Sequence, residues 1–229
     1  MLRPAGAACT RFSTVADWKT FQRNGDNSMI QIPQGFRLAA ANADFRGKHL
    51  DRNDLSLVFS DAPATVAGVF TTNLFRAAPV LVSQENIRNA GDRGVRGVIF
   101  NSGQANACTG EQGRENCLRT LDMVSEALRR EGEDVRADEL LPASTGVIGA
   151  QMDMNRWAAA VPSLVKALGS VDLEGLARAM MTTDAFPKMA GRELSLAGGS
   201  VRLAGVAKGA GMICPNMATM LSLVMCDAA

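Results

Sequence analysis

Residues 208–229 read KGAGMICPNMATMLSLVMCDAA, and the interpretation of the whole chain starts from this stretch. Its glycines and the Pro215-Asn216 pair predict a loop with a tight turn. The apolar run at residues 220–226 then predicts a buried β-strand. Thr219 therefore stands where a loop enters a strand, and the small side chain of Ala218 leaves the preceding carbonyl open to attack.

This junction suits a threonine that cleaves its own chain. Attack of the Thr219 hydroxyl on the Ala218 carbonyl gives an ester, and hydrolysis of that ester frees the α-amino group of Thr219. An α-amine has a pKa of about 7.7 to 8, so it can act as the base for its own hydroxyl near neutral pH. The alternative is an ordinary turn followed by a threonine that opens a strand, where threonine is common.

The composition limits the classes of partner. With 229 residues, 47% of them hydrophobic, the chain can bury a sizeable core as one globular unit. A net charge of +1 gives no electrostatic reason to expect nucleic acid or an anionic membrane surface. No apolar run approaches the roughly 20 residues that span a bilayer, so we expect a soluble protein that acts on small molecules.

The cysteines indicate reduced thiols rather than a metal centre. Five of them are scattered along the chain without a CxxC pair, and the sequence has one histidine. Neither a zinc site nor a disulfide framework is expected. Residues 1–29 are interpreted as a variable N-terminal segment. Its first 15 residues are free of acidic side chains and weakly resemble a transit peptide, with a variable bacterial N-terminus as the alternative.

The hydrophobic pattern predicts a mixed α/β protein. Strands are expected at residues 56–60, 65–71, 79–83 and 95–100, with Asn101-Ser102-Gly103 ending the last of them. Helices are expected at residues 114–130, 154–168 and 173–181. Asp153 would cap the second helix, and Pro162 would kink it or divide it. Residues 193–197 and 200–207 are expected to pair as a hairpin about Gly198-Gly199.

Four stretches carry a resemblance to a known family. They are, in order, AGVFTTNLFRAAPV at residues 67–80, NSGQANACTG at 101–110, STGVIG at 144–149 and KGAGMICPNMATML at 208–221. Together they resemble the ornithine acetyltransferase family, the bifunctional glutamate N-acetyltransferases of arginine biosynthesis. The resemblance extends from about residue 32 to the last residue.

The resemblance implies a fold, a reaction and an assembly. The fold would be α/β with mixed stacked sheets and flanking helices, of the self-processing N-terminal-nucleophile type. Cleavage between Ala218 and Thr219 would divide residues 30–218, an α-chain domain, from residues 219–229, the start of a β chain. The enzyme would move an acetyl group from N-acetylornithine to glutamate through an acetyl-threonine ester. An α2β2 heterotetramer in the cytoplasm is expected, with no metal or cofactor, and acetyl-CoA stays open as a co-substrate.

The resemblance also assigns roles to residues. Thr219 would be the nucleophile, and Thr145 and Gly146 would form the oxyanion hole. Thr182, Lys208 and Thr219 itself would bind substrate. Acyl transfer needs preplaced donors because negative charge builds on a carbonyl oxygen, and losing one donor costs about 10²- to 10³-fold in rate.

Taken without the resemblance, each of these residues has an ordinary structural explanation. Residues 142–149 could be a cap and turn before a helix, and Thr182-Thr183-Asp184 could be helix capping. Lys208 could be a solvated loop lysine, although an ammonium there could also pair with a substrate carboxylate.

The family pattern also differs from this chain in length. Only ten residues follow Thr219 here, whereas the family's second subunit is about as large as its first. We therefore expect a fragment whose own activity is doubtful, and an inert scaffold that lacks the second subunit is one alternative function. A related self-processing aminopeptidase or amidohydrolase is the other.

Overall fold

A computed structural model describes residues 30–47, 51–196, 198–209 and 220–228. The predicted variable segment at residues 1–29 and the predicted cleavage pair Ala218 and Thr219 lie outside these ranges. From Gln31 onward the described residues belong to one unit. The boundary expected at residue 219 stays a prediction.

The first sheet has four strands and mixed pairing. Its strands are β1 (Phe36–Ala41), β2 (Leu55–Ala64), β3 (Val95–Gln104) and β4 (Leu140–Val147), in that spatial order. The pairs β1–β2 and β2–β3 are antiparallel, whereas β3 and β4 are parallel. A parallel pair requires a crossover connection, and the helix between β3 and β4 provides it.

Within the described ranges, four α-helices accompany the first sheet. They are α1 (Ala78–Ala90), α2 (Gly110–Arg130), α3 (Met154–Lys166) and α4 (Leu173–Met180), and short 3₁₀ helices cover Gly91–Arg93 and Ala137–Glu139. The helix predicted from the spacing of apolar residues is present as α2, and its apolar residues Leu121, Val124 and Leu128 are fully buried. They pack in one core cluster with Phe59 from β2 and Trp157 from α3.

The predicted cap of α3 is confirmed, whereas its predicted division is not. The Asp153 carboxylate accepts from the backbone amides of Asn155 and Arg156. Pro162 lies inside one continuous helix and does not split it into two. Proline removes the amide that would donate to the carbonyl of Ala158. Both residues are solvent-exposed, so water can replace the missing donor.

The second sheet has three antiparallel strands. They are β5 (Lys188–Leu196), β6 (Gly199–Lys208) and β7 (Leu221–Cys226), in sequence order. The predicted hairpin is confirmed, although β5 begins earlier than expected, at Lys188. The predicted last strand is also present, but it is not fully buried. Met225 is 2% exposed and Val224 is 69% exposed, so β7 presents one face to solvent.

Two predicted strands are wrong. Residues 65–71 have no regular structure, because the β2–β3 ladder ends at the pair Ala64 and Val95. Residues 79–83 lie in α1 rather than in a strand. Pro79 stands in the first turn of this helix, where its fixed backbone angle is favourable. Burial of Val82 in the core overrides the β preference of the local sequence.

Helix α4 connects the two sheets. It contacts β1, β2 and β3 of the first sheet and β5 and β6 of the second. The Ser102 hydroxyl of β3 donates to the carbonyl oxygen of Ala179 in α4, over 2.8 Å. The chain then leaves α4 at Met181 and reaches β5 within a few residues, so the turn after α4 lies between the sheets.

Capping of α4 gives a test of the fold. The Asp172 carboxylate accepts from the Gly175 amide at 2.8 Å. We expect Asp172→Ala to lower the free energy of unfolding by about 1 kcal/mol, because an N-cap acceptor is lost. Urea unfolding followed by circular dichroism measures this change. Asp172→Asn is the matched control and should keep most of the stability; equal losses in both variants would contradict a capping role.

Candidate active site

The parallel pairing of β3 and β4 brings the motifs at residues 101–110 and 144–149 side by side. In register, Asn101 lies opposite Ser144, Ser102 opposite Thr145, and Gly103 opposite Gly146. The alternative of a helix cap and turn at residues 142–149 is therefore wrong, since Thr145 and Gly146 lie within β4. The expectation that Asn101-Ser102-Gly103 ends β3 is also wrong, because pairing with β4 continues the strand to Gln104.

Gly146 allows the two strands to approach closely. Its φ is +137°, and a Cβ atom placed there would lie 2.2 Å from the carbonyl carbon of Gly103 and 2.4 Å from its oxygen. No side chain fits at such distances, so the motif requires glycine at this position. Sequence reasoning assigned Gly146 by resemblance, whereas the structure supplies a packing reason for the same residue.

Three predicted site residues meet around one ammonium group. The Nζ atom of Lys208 donates to Thr145 Oγ1 at 2.8 Å and to Thr182 Oγ1 at 2.8 Å. Thr145 comes from β4, Thr182 from the turn after α4, and Lys208 from the end of β6. Thr145 is 2% exposed and Lys208 is 4% exposed. The alternative of a solvated loop lysine is therefore wrong.

Asp184 supports this cluster, and sequence reasoning gave it no role in the site. Its buried carboxylate accepts from Lys188 Nζ at 2.8 Å, from the Gly209 amide at 2.8 Å and from the Thr182 amide at 3.1 Å. One side chain thus holds the backbone on both sides of the cluster. The available signal was an aspartate close to Thr182 and four residues before a lysine.

The capping interpretation of Thr182-Thr183-Asp184 holds only in part. Asp184 does fix the turn through the Thr182 amide. The hydroxyl of Thr182, however, accepts from Lys208 rather than from the end of α4. The carbonyl of Met181, at the end of α4, accepts from the guanidinium groups of Arg46, over 3.0 Å, and of Arg52.

The electrostatic environment is cationic. Burial alone would raise the pKa of Asp184, but the hydrogen bonds from Lys188 and from the Gly209 and Thr182 amides outweigh it and lower this pKa to about 2. Burial lowers the pKa of Lys208, and Lys188 and Arg46 lower it further, whereas Asp184 partly restores it. Lys188, Lys208 and Arg52 lie near the ionised Asp184, Arg46 lies near Lys208, and Asp54 lies near both arginines. Four positive charges thus face two carboxylates, and this excess of positive charge favours an anionic ligand.

The polar loop after β3 has mainly a structural role. Asn106 donates to the carbonyl of Gly113, in the first turn of α2, at 2.8 Å and accepts from the hydroxyl of Thr109, just before α2, at 2.7 Å. The Gly149 amide donates a hydrogen bond to the carbonyl oxygen of Ala107, which connects this loop to the segment just after β4. The interpretation of residues 101–110 as a connection with Asn and Ser capping is correct only for the connection, which begins after Gln104, because no side chain caps the start of α2.

The predicted nucleophile lies outside the described residues. Ala218 and Thr219 precede β7, and Leu221, two residues after Thr219 in the sequence, pairs with Lys208. Across the residues that the structure does describe, no group of three or more His, Cys, Asp or Glu side chains could hold a metal ion. In the same ranges, no helix is long and apolar enough to cross a membrane.

The fold and the site together define a mixed α/β protein with two sheets, flanking helices and a buried lysine–threonine cluster between them. The model of the ArgJ family matches residues 37–229, and the chain belongs to this family. The family resemblance and the fold class inferred from the sequence are thereby confirmed.

Similar proteins from two bacteria agree with this assignment. The chain is 58% identical over 201 residues to the arginine biosynthesis bifunctional protein ArgJ of Nitratidesulfovibrio vulgaris, a match that covers 88% of this chain and 49% of that protein. It is 47% identical over 196 residues to the ArgJ protein of Geobacter sulfurreducens, covering 86% of this chain and 47% of the relative. The chain thus spans about half the length of the curated relatives it matches.

Solved structures show the same fold. The crystal structure of the Mycobacterium tuberculosis ornithine acetyltransferase complexed with ornithine is 36% identical, with a TM-score of 0.72. The similarity covers 84% of this chain and 96% of that chain. The Bacillus halodurans ArgJ structure is 28% identical with a TM-score of 0.72, and the match covers 85% of this chain and 95% of that one.

The close approach at Gly146 can be tested by substitution. Gly146→Ala should lower the free energy of unfolding by about 3 kcal/mol or more, because a Cβ atom would collide with the Gly103 backbone. Gly149→Ala is the matched control. Gly149 also has a positive φ, of +84°, but a Cβ atom there would meet open space, so a loss of only about 1 kcal/mol is expected. Chemical unfolding measures both, and equal losses would contradict the close approach.

Proposed function

We propose that this chain forms the site of a self-processing acetyltransferase that moves an acetyl group from N-acetylornithine to glutamate in arginine biosynthesis. The observation that carries the proposal is the buried cluster in which Lys208 binds the hydroxyls of Thr145 and Thr182. Membership of the ArgJ family supports it, as does the similarity to an ornithine acetyltransferase whose crystal structure contains ornithine.

The first step is cleavage before Thr219. The Thr219 hydroxyl attacks the Ala218 carbonyl, the peptide nitrogen leaves as the α-amine of Thr219, and water hydrolyses the resulting ester. The new α-amine takes the proton of the hydroxyl in later steps. Lys208 pairs with Leu221, so β7, which begins two residues after Thr219 in the sequence, starts beside the cluster.

The second step is transfer in two half-reactions. Thr219 Oγ attacks the acetyl carbonyl of N-acetylornithine, and its proton passes through the α-amine to the departing amine of ornithine. The amine of glutamate then attacks the acetyl ester and returns a proton to Thr219 Oγ. Each half-reaction builds negative charge on the acetyl oxygen, and we assign Thr145 and Gly146 as its donors.

Substrate charge fits the surroundings of the cluster. Glutamate and ornithine each carry an α-carboxylate. Arg46 donates to the carbonyl of Met181, next to Thr182, and Lys208 donates to the Thr182 hydroxyl, so both supply positive charge beside Thr182. An opposite charge in a site of low exposure interacts strongly with such a ligand. We assign Thr182 and Lys208 to substrate positioning on this basis.

Strand pairing supports an assembly of two kinds of chain after cleavage. Six residue pairs join β6 to β7, from Leu203 with Cys226 to Lys208 with Leu221. These pairs connect residues before the cleavage position to residues after it. A break before Thr219 would leave them intact, and we propose an α2β2 heterotetramer in the cytoplasm built from the two products.

Intact mass spectrometry tests the cleavage. For the full-length gene product, we expect two polypeptides separated by cleavage before Thr219, because the Thr219 hydroxyl is the attacking group. Thr219→Ala should give one uncut chain. Thr219→Ser is the matched control and should still cleave, since it keeps a hydroxyl. An uncut wild-type protein with full transferase activity would contradict the proposal.

Incubation with N-acetylornithine separates transfer from hydrolysis. With glutamate present, N-acetylglutamate should form at the rate at which ornithine appears. Without glutamate little acetate should be released, because the proposed acceptor of the acetyl group is the amine of glutamate rather than water. Thr145→Val should lower kcat by about 10²- to 10³-fold, as expected for the loss of an oxyanion donor. A parallel reaction with acetyl-CoA and glutamate tests the second donor. Equal acetate release with and without glutamate would identify a hydrolase instead.

A further inference from the structure

The ammonium group of Lys208 has an unusual pair of partners, since both are hydroxyl groups. Protonated lysine has three donors and no acceptor, so the oxygens of Thr145 and Thr182 must both accept from it. A hydroxyl that accepts in this way keeps its own hydrogen for another partner. The contact therefore determines the direction of donation: each threonine O–H points to an acceptor other than Lys208.

We propose that Lys208 is a positioning residue for the oxyanion hole, which keeps the Thr145 hydroxyl oriented as a donor towards the reacting carbonyl oxygen. This inference rests on the proposed function and changes the role of Lys208 within it. A lysine whose main role is to pair with a substrate carboxylate would act on binding. A lysine that orients Thr145 acts on the stabilisation of developing charge, and so on kcat.

Charge and burial strengthen the effect. A hydrogen bond from an ammonium group is roughly twice as strong as a neutral one, and it polarises the hydroxyl that accepts it. Thr145 and Lys208 are both almost fully buried, so water competes little for either group. The Thr145 hydroxyl is thus a stronger and better oriented donor with Lys208 than without it.

Asp184 holds the arrangement in place. It accepts from the Gly209 amide, next to Lys208, and from the Thr182 amide, next to the second hydroxyl. Its ionised carboxylate also favours the charged form of Lys208. The ammonium group and its two threonine partners are therefore fixed from the backbone as well as through their own hydrogen bonds.

Loss of the proton from Lys208 would reverse the direction of donation. A neutral amine has a lone pair and can accept from the Thr145 hydroxyl, which would then point away from the substrate. The charged groups that face Lys208 are Asp184 from the turn after α4, Lys188 from β5 and Arg46 from the loop after β1. Burial, Lys188 and Arg46 together outweigh Asp184, so the pKa of Lys208 lies below its ordinary value of 10.5. Activity should therefore fall as pH rises through this lowered pKa.

A double-mutant cycle tests the proposal in protein expressed from its own gene. Thr145→Val and Lys208→Met should each lower kcat by about 10²-fold, and the double variant should be no more than about threefold slower than the slower single variant. Independent roles would instead multiply to a loss of about 10⁴-fold and would overturn the proposal. Circular dichroism and intact mass confirm that each variant is folded and cleaved.

The pH dependence of kcat is the second measurement and uses variants that keep the charge. The wild type should lose activity on the alkaline side, and Lys208→Arg should lack this loss, because a guanidinium stays protonated. Lys188→Arg is the matched control and should retain the alkaline loss. An alkaline loss that persists in Lys208→Arg would overturn the positioning role. A wild type that transfers no acetyl group from N-acetylornithine would instead overturn the proposed function itself.

Discussion

A buried ammonium group is the constraint on which this structure depends. A charge removed from water is costly unless it is paired and hydrogen-bonded. Lys208 meets this requirement with Thr145 from the first sheet, Thr182 from the turn after α4 and the nearby charge of Asp184. Because these partners come from separate elements, satisfying one lysine fixes the first sheet, α4 and the second sheet around the same point.

A second constraint is the close contact between β3 and β4. Parallel pairing places Gly103 against Gly146, and the absence of a side chain at Gly146 lets the strands approach, whereas Gly103 leaves room for Phe45 and Arg46. The pairing also places Thr145 next to Ser102, whose hydroxyl donates a hydrogen bond to the carbonyl oxygen of Ala179 in α4. The backbone around the proposed oxyanion donors is thus held by strand pairing on one side and by α4 on the other. Such rigid support is what preorganised charge stabilisation requires.

The elements that were predicted correctly are those whose local pattern agrees with their packing. The helix α2, the Asp153 cap and the Gly198-Gly199 hairpin are each determined by residues that lie close together in the sequence. The two wrong strand predictions share a different cause. Residues 65–71 and 79–83 are rich in β-branched residues, yet the first segment follows the end of the β2–β3 ladder and the second packs Val82 into the core as part of α1. β preference depends on such context more than helix preference does.

The sequence by itself determined the family, the mixed α/β class and the identity of Thr145, Gly146, Thr182 and Lys208 as candidates, because these rest on ordered motifs and local patterns. The tertiary structure alone decided that Lys208 binds both threonine hydroxyls and that Asp184, Arg46 and Arg52 gather beside them. Thr145 and Lys208 are 63 residues apart. No local pattern encodes a hydrogen bond over that separation, since it exists only when the two sheets and α4 pack together.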